Sequence, residues 1–271
     1  CDKKEKYTTK FFFLFLCLLA KIYTKEGENM ARKIVLTSGK GGVGKTTICA
    51  NLGVNLASLG FRTVLVDVDM GLNNLDVVMG LEKQVVFDIT DVISGKCRAK
   101  QALVEDVRFP NLFLLPSSHY SGRSHILGEH IKSVLNMLDS SFVYILIDCP
   151  AGVDEGFHRA VFSANEAIVV VTPHLSSLRD ANKVLGLLNE YDLTSKGLVI
   201  NRMRGDLLAS GEMLRVEDVV RALHIPLLGV IPEDDAISSA CSVGGYLNSV
   251  ESARAFTLLC ENLHNGTKKI Y

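Results

Sequence analysis

Beyond residue 30 the chain alternates between short, almost unbroken apolar runs and longer stretches in which apolar positions recur every three or four residues. The runs fall at 33–37, 63–67, 112–115, 143–148, 167–172, 197–201 and 226–231. A strand that is apolar at nearly every position is one covered on both faces, as in a parallel sheet. The stretches at 46–59, 126–138, 177–191, 213–223 and 249–263 carry helical spacing and are long enough to cross from one parallel strand to the next. The pattern predicts an α/β fold, a doubly wound and mainly parallel sheet flanked by helices. No linker, low-complexity tract or internal repeat interrupts it, so residues 30–271 read as one domain. Leu185, Leu187 and Leu188 read as core, as do Val250, Ala253, Phe256, Leu259 and Leu263 of the terminal helix.

The first 29 residues do not share that pattern. Residues 11–20 form an apolar run between Lys10 and Lys21, the layout of a secretory leader and too short to cross a bilayer. Glu26, Gly27, Glu28 and Asn29 then precede Met30, and the first strand follows at once through Ala31, Arg32, Lys33 and Ile34. Met30 reads as the start of the domain, with residues 1–29 as upstream or leader sequence outside the fold.

The chemistry is concentrated where predicted strands end. Ser38-Gly39-Lys40-Gly41-Gly42-Val43-Gly44-Lys45-Thr46-Thr47 joins the first strand to the first helix and contains a complete G-x-x-x-x-G-K-[ST] pattern. Glycines at 39, 41, 42 and 44 leave backbone N–H groups bare to curl around an anion, while Lys45 adds a charge and Thr46 a hydroxyl for Mg²⁺. The N-terminus of the following helix contributes its own partial positive charge. Two more strands leave the sheet on carboxylates, one on Asp67 and Asp69, the other on Asp148. Ligands of open α/β sheets bind at the carboxyl ends of strands, where an Asp can hold Mg²⁺ directly or through water. One such Asp alone is equally a turn former or a helix cap; with Lys45 and Thr46 the set predicts a metal–nucleotide site. The loops 70–76 and 150–154 are polar and Gly-bearing, placed to sense a terminal phosphate. Their outer residues read as ordinary connections.

Composition narrows the partners. A formal net charge of −1 supplies no general attraction for nucleic acid, and 48% hydrophobic residues suffice for a substantial core. The seven cysteines are scattered without C-x-x-C pairs, which speaks against a disulfide framework or a zinc site and for small buried residues in a reducing compartment.

Lys40-Gly41-Gly42-Val43-Gly44-Lys45-Thr46-Thr47 resembles the deviant Walker A box, with its extra lysine near the start of the loop, of the ParA/MinD family of dimeric ATPases. Val66-Asp67-Val68-Asp69-Met70-Gly71-Leu72-Asn73-Asn74-Leu75-Asp76, Asp148-Cys149-Pro150-Ala151-Gly152, Ser176-Ser177-Leu178-Arg179-Asp180 and Gly229-Val230-Ile231-Pro232-Glu233-Asp234 are similar to the branch of that family that places the division septum. The resemblance covers residues 30–263. It implies a P-loop NTPase fold and a Mg²⁺-dependent hydrolysis of ATP to ADP and phosphate. On this chain Gly39, Lys40, Gly41, Gly42, Val43, Gly44, Lys45, Thr46 and Thr47 would cradle the nucleotide, with Lys45 on the β- and γ-phosphates. Thr46, Asp67 and Asp148 would surround the metal, and Asp69 would position the attacking water. Lys40 would reach the nucleotide of a second subunit, so that an ATP-dependent homodimer encloses two ATP molecules. Asn201 and Arg202, with Pro232, Glu233 and Asp234, are expected at the adenine. Ser177, Arg179 and Asp180 are expected on a surface for the division inhibitor MinC and the topological regulator MinE, although a capped, solvated helix start explains them as well.

The same resemblance implies a peripheral place at the cytoplasmic, inner face of the cell membrane. Such proteins end in a short amphipathic helix that grips an anionic membrane when dimerisation pairs two weak anchors. Here the final residues, Thr267-Lys268-Lys269-Ile270-Tyr271, are too few for that helix; truncation before it, or weak membrane binding, is the expectation. Three other readings stay open: a ParA-type partition ATPase that rides on DNA, the family's flagellar-number regulator, and an iron–sulfur reductase for which Cys149 is the one suggestive residue.

Overall fold

The computed structural model describes residues 30–70, 74–118, 126–242 and 250–270. The segment 1–29, residues 71–73 of the loop after Asp69, and Tyr271 lie outside the described residues. In chain order the elements are β1 (Arg32–Thr37), α1 (Lys45–Ser58), β2 (Thr63–Asp67), α2 (Leu75–Met79), α3 (Ile89–Ile93), β3 (Val104–Glu105), β4 (Leu112–Leu115), α4 (Gly128–Asn136), β5 (Tyr144–Asp148) and α5 (Glu155–Phe162). They continue with β6 (Glu166–Val171), α6 (Leu175–Leu188), β7 (Ser195–Met203), α7 (Gly205–Ser210), α8 (Val216–Leu223), β8 (Leu227–Pro232), α9 (Asp235–Ser242) and α10 (Val250–Asn265).

The strands form one sheet in the order β3-β4-β2-β5-β1-β6-β7-β8. Every neighbouring pair is parallel except β3 with β4. The unbroken apolar runs are explained by the period of two. Ile34 and Leu36 point into one core with Leu65, Tyr144 and Leu146, under α1, α2 and α10. Val35 points into the other with Val64, Val66, Ile145 and Ile147, under α4, α5, α6 and α8. Polar positions within such strands would strand an unpaired group in one of the two cores. Leu188, Phe256, Leu259 and Leu263 are buried as expected, and Leu185 and Leu187 pack against the core partly covered.

Arg32 shows how the lower rim of the sheet is tied. Its guanidinium makes a bidentate pair with Glu166 at 2.7 Å on both arms, donates to the Leu263 carbonyl at 2.7 Å and lies over the Tyr144 ring. One side chain thus joins β1, β6, β5 and the end of α10. The pair holds the Glu166 carboxyl below its usual range against the opposing pull of burial.

The differences from the sequence expectation have local causes. β3 is a two-residue antiparallel edge pairing, Val104 with Leu114 and Glu105 with Phe113, too short to leave a periodic trace. Helices α2, α3, α5, α7 and α9 span five to eight residues each, below the length at which a 3.6 period can be read. α3 is instead set by its cap, where the Asp88 carboxylate accepts from Thr90 N at 2.7 Å and Asp91 N at 3.1 Å. α6 starts at Leu175, two residues before the predicted position, with His174 as its cap residue.

The topology decides where a ligand can sit. From β1 the chain runs to β2 on one side, and after β5 it crosses β1 to reach β6 on the other. Strand order reverses at the carboxyl end of β1, which opens a crevice there.

Candidate nucleotide site

The glycine-rich loop lies in that crevice. Gly42 and Gly44 take φ of 76° and 94°, the left-handed region that a side chain disfavours. α1 begins directly after Gly44 with no side-chain cap, so the first N–H groups of a 14-residue helix face the crevice with the helix dipole behind them. Lys45 is buried, and its Nζ donates to Ser38 Oγ at 3.1 Å, while Ser38 Oγ donates to the Lys40 carbonyl at 2.7 Å. Ser38 therefore closes the loop on itself and holds the lysine that fills it, a task the sequence reading did not give it. Lys40, Gly41 and Gly42 are exposed on the outer side of the loop.

Two long-range contacts lock the cradle. Asn201, at the end of β7, is buried and donates through Nδ2 to the Val43 carbonyl at 2.8 Å. A Cβ on Gly44 would stand 2.4 Å from that same nitrogen. At the other end a Cβ on Gly39 would stand 2.4 Å from the Asp180 carbonyl oxygen in α6. A backbone oxygen cannot swing aside, so Gly39→Ala must displace either the loop or the start of α6. Nucleotide affinity is expected to fall about tenfold or more, since 1.4 kcal/mol is one decade and overpacking of this kind costs about 1–3 kcal/mol. A nucleotide titration checks this; unchanged affinity would show that the contact yields.

The three aspartates converge but do different things. Asp67 and Asp148 are partners in the β2–β5 register, and both are almost wholly buried. The structure gives Asp67 a task other than the expected metal contact: Oδ1 accepts from Asp69 N at 2.8 Å and Oδ2 from Leu75 N at 3.2 Å. It anchors the two ends of the loop that follows β2. Burial, and then the charge of Asp148, push its carboxyl well above the usual range. Asp148 is the one with spare capacity, because its Oδ1 is buried without a hydrogen-bond partner. Burial raises its pKa to about 6, with the Thr46 hydroxyl and Lys45 pulling it back and Asp69 pushing it further. Asp69 is half-buried; burial raises its carboxyl, and Lys45 and Arg159 oppose the rise.

A Mg²⁺ ion fits this donor set, since a buried carboxylate oxygen with no partner and an adjacent hydroxyl are hard ligands of the kind it takes. Among the described residues no group of three or more His, Cys, Asp or Glu could hold a metal by itself. Mg²⁺ ordinarily completes its shell with substrate phosphate and water.

Beside the loop a cleft of about 310 Å³ opens to solvent. It is lined by Gly44 and Thr47 of the loop and by Asn201, Arg202, Pro232, Glu233 and Asp234, so the residues expected at the base lie around one cavity. Ile237 of α9 also lines it, an apolar surface that sequence reading missed. Arg202 reaches the cleft because β7 and β8 lose register between Ile200 and Met203 and Arg202 adopts φ 60°. Its Nε stands 3.8 Å from Glu233 Oε2. Asp234 departs from expectation in that its carboxylate is committed to the fold, accepting from Ala236 N at 2.8 Å and Ser252 Oγ at 2.5 Å.

On α6 the expectation needs one correction. Ser177 is buried and its Oγ accepts from Thr172 N at 3.0 Å, so its side chain stitches β6 to the helix rather than facing a partner. Arg179 is exposed and Asp180 half-buried, and Leu175 is the exposed apolar residue of the same turn at 74%. Of the described cysteines Cys49, Cys149 and Cys260 are buried and Cys97 is partly exposed, all as free thiols.

Known proteins share this arrangement. The profile of the CobQ/CobB/MinD/ParA nucleotide binding domain matches residues 34–245. The septum site-determining protein MinD of Bacillus subtilis is 46% identical over 217 residues, 79% of this chain and 81% of that one. Its counterpart from Synechocystis is 44% identical over 234 residues, 86% and 88% of the two chains. Among solved structures, the Aquifex aeolicus MinC:MinD cell division protein complex aligns with a TM-score of 0.81 at 37% identity, covering 89% of this chain and 98% of that one. MinD from Pyrococcus horikoshii complexed with Mg-ADP aligns with a TM-score of 0.76 at 33% identity, covering 87% and 96%. The chain belongs to the CobQ/CobB/MinD/ParA nucleotide-binding family and, within it, to the MinD septum-site-determining group.

Proposed function

We propose that this chain is a Mg²⁺-dependent ATPase whose ATP-bound dimer acts as a switch in placing the division septum, at the inner face of the cell membrane. The observation that carries the reading is the contrast between two lysines of one loop. Lys45 is 7% exposed and fills the cradle; Lys40 stands outside it, exposed, with only its carbonyl engaged. A charge on the outer side of a phosphate loop is of use to a nucleotide held by another chain.

Lys45 and the N-terminal amides of α1 bind and neutralise the β- and γ-phosphates. Thr46 and Asp148 would hold Mg²⁺, which when bound supplies charge neutralisation across the phosphates. Asp69 orients the attacking water, and Lys40 of the second subunit stabilises the charge that develops on the transferred phosphoryl group. Asp67 ties Asp69 to Leu75, so loss of the terminal phosphate would be felt through that loop. The exposed turn of α6, with Leu175 and Arg179, is the surface for a MinC-type inhibitor and a MinE-type regulator. The A. aeolicus MinC:MinD complex supports the first of these partners.

The switch is tested by mass. The protein is expected to be monomeric with MgADP and dimeric with MgATP in light scattering. Asp69→Asn should lower phosphate release by about two orders of magnitude or more and keep the MgATP dimer assembled. A protein whose mass ignores the nucleotide would sink the reading.

A further inference from the structure

Arg159 on α5 has no place in the scheme above. α5 is the helix that follows Asp148 and the loop 149–154, so anything that fixes its start also fixes that loop. The Arg159 side chain is only 19% exposed, and its Nε is buried without a hydrogen-bond partner. Its ion pair with Glu155 is loose, 3.9 Å to a side chain that is 87% exposed, a geometry worth little. Nη2 lies 3.8 Å from where a Cβ on Gly156 would stand, and Pro150 Cγ lies 2.9 Å from the same point. The guanidinium is thus tucked against the turn by which the chain leaves Asp148. Its charge, together with that of Lys45, favours the ionised form of Asp69 against burial. Asp69 therefore feels two cations, one in the cradle and one under the neighbouring loop. Helix-dipole stabilisation at the end of α5 would be served as well by an exposed arginine and does not explain the burial.

We propose that Arg159 is a positioning residue for hydrolysis, holding the Asp69 carboxylate and the loop that leaves Asp148 in the arrangement that presents water to the terminal phosphate. This rests on the ATPase reading. A planar guanidinium with several donors suits the task because it fixes a carboxylate in direction as well as in charge. Its contribution falls on turnover rather than on nucleotide binding, since Asp69 acts on water and not on ATP itself.

The test uses the full chain with Arg159→Met and Arg159→Lys. For Arg159→Met we expect kcat for ATP to fall about tenfold, with KM and the MgATP-dependent mass changed by no more than about twofold. Arg159→Lys keeps the charge and should recover part of the loss. A thermal double-mutant cycle of Arg159→Met with Asp69→Asn, in the nucleotide-free protein, should give Tm shifts that fail to add by about 2 °C or more. A kcat within twofold of wild type, or additive Tm shifts, would overturn the proposal. If the wild-type chain released no phosphate, the ATPase reading would fail, and the thermal cycle would still decide whether Arg159 and Asp69 are coupled.

Discussion

Lys45→Ala is expected to abolish measurable ATP hydrolysis and to weaken nucleotide binding by about two to three orders of magnitude. Removing one partner of a desolvated charge pair costs about 2–5 kcal/mol, and each 1.4 kcal/mol is a decade. The site makes the high end of that range reasonable. Lys45 is 7% exposed, so its ammonium faces the phosphates with little water between, and its one hydrogen bond in the structure, to Ser38 Oγ, is to a neutral group. No other lysine is placed to substitute, because Lys40 points away from the cradle of its own chain. A titration with MgATP and a phosphate-release assay check both parts, with far-UV circular dichroism to show that the fold persists. Binding within tenfold of wild type would mean that the backbone amides and helix dipole carry the phosphates alone.

Lys40→Ala has a different expected signature: complete loss of the MgATP-dependent dimer, with nucleotide still bound by the monomer to within a few-fold. The geometry separates the two functions. What Lys40 gives to its own loop is a backbone carbonyl, which accepts from Ser38 Oγ and is retained in the alanine variant. Its side chain is exposed and free to meet a second subunit. Light scattering at several protein concentrations, run beside a nucleotide titration, distinguishes this outcome from loop damage. A variant that dimerised normally would remove the reason for assigning the loop a role in trans. A variant that lost nucleotide and dimer together would show that Lys40 serves its own site.

The pair of lysines also shows how far the sequence could be read. Both were legible because the loop is contiguous, lying between a strand and a helix whose periods are local. The carboxylates at 67, 69 and 148 were legible for the same reason, each ending an apolar run. Their division of labour was not. Asp67 looked like a metal ligand until its two oxygens were found on the amides of Asp69 and Leu75, and Asp148 stood out only once its Oδ1 proved to be without a partner. Ser177 read as surface from its place at a helix start, and faces Thr172 instead. Arg159 carried no signal, since a single arginine in a short helix looks the same whether it is solvated or buried.

By itself the sequence determined the α/β class, the parallel strands, the phosphate loop and the acidic strand ends, because apolar period and glycine spacing act over a few residues. Only the tertiary structure decided the strand order that puts β1 between β5 and β6. It also decided the clasp of Asn201 on Val43, 158 residues apart, the packing of Asp180 on Gly39, and the placing of Arg159 under the Pro150 turn. These depend on which segments the sheet brings side by side, and a side chain's partner in a buried crevice is set by that long-range packing rather than by its neighbours along the chain.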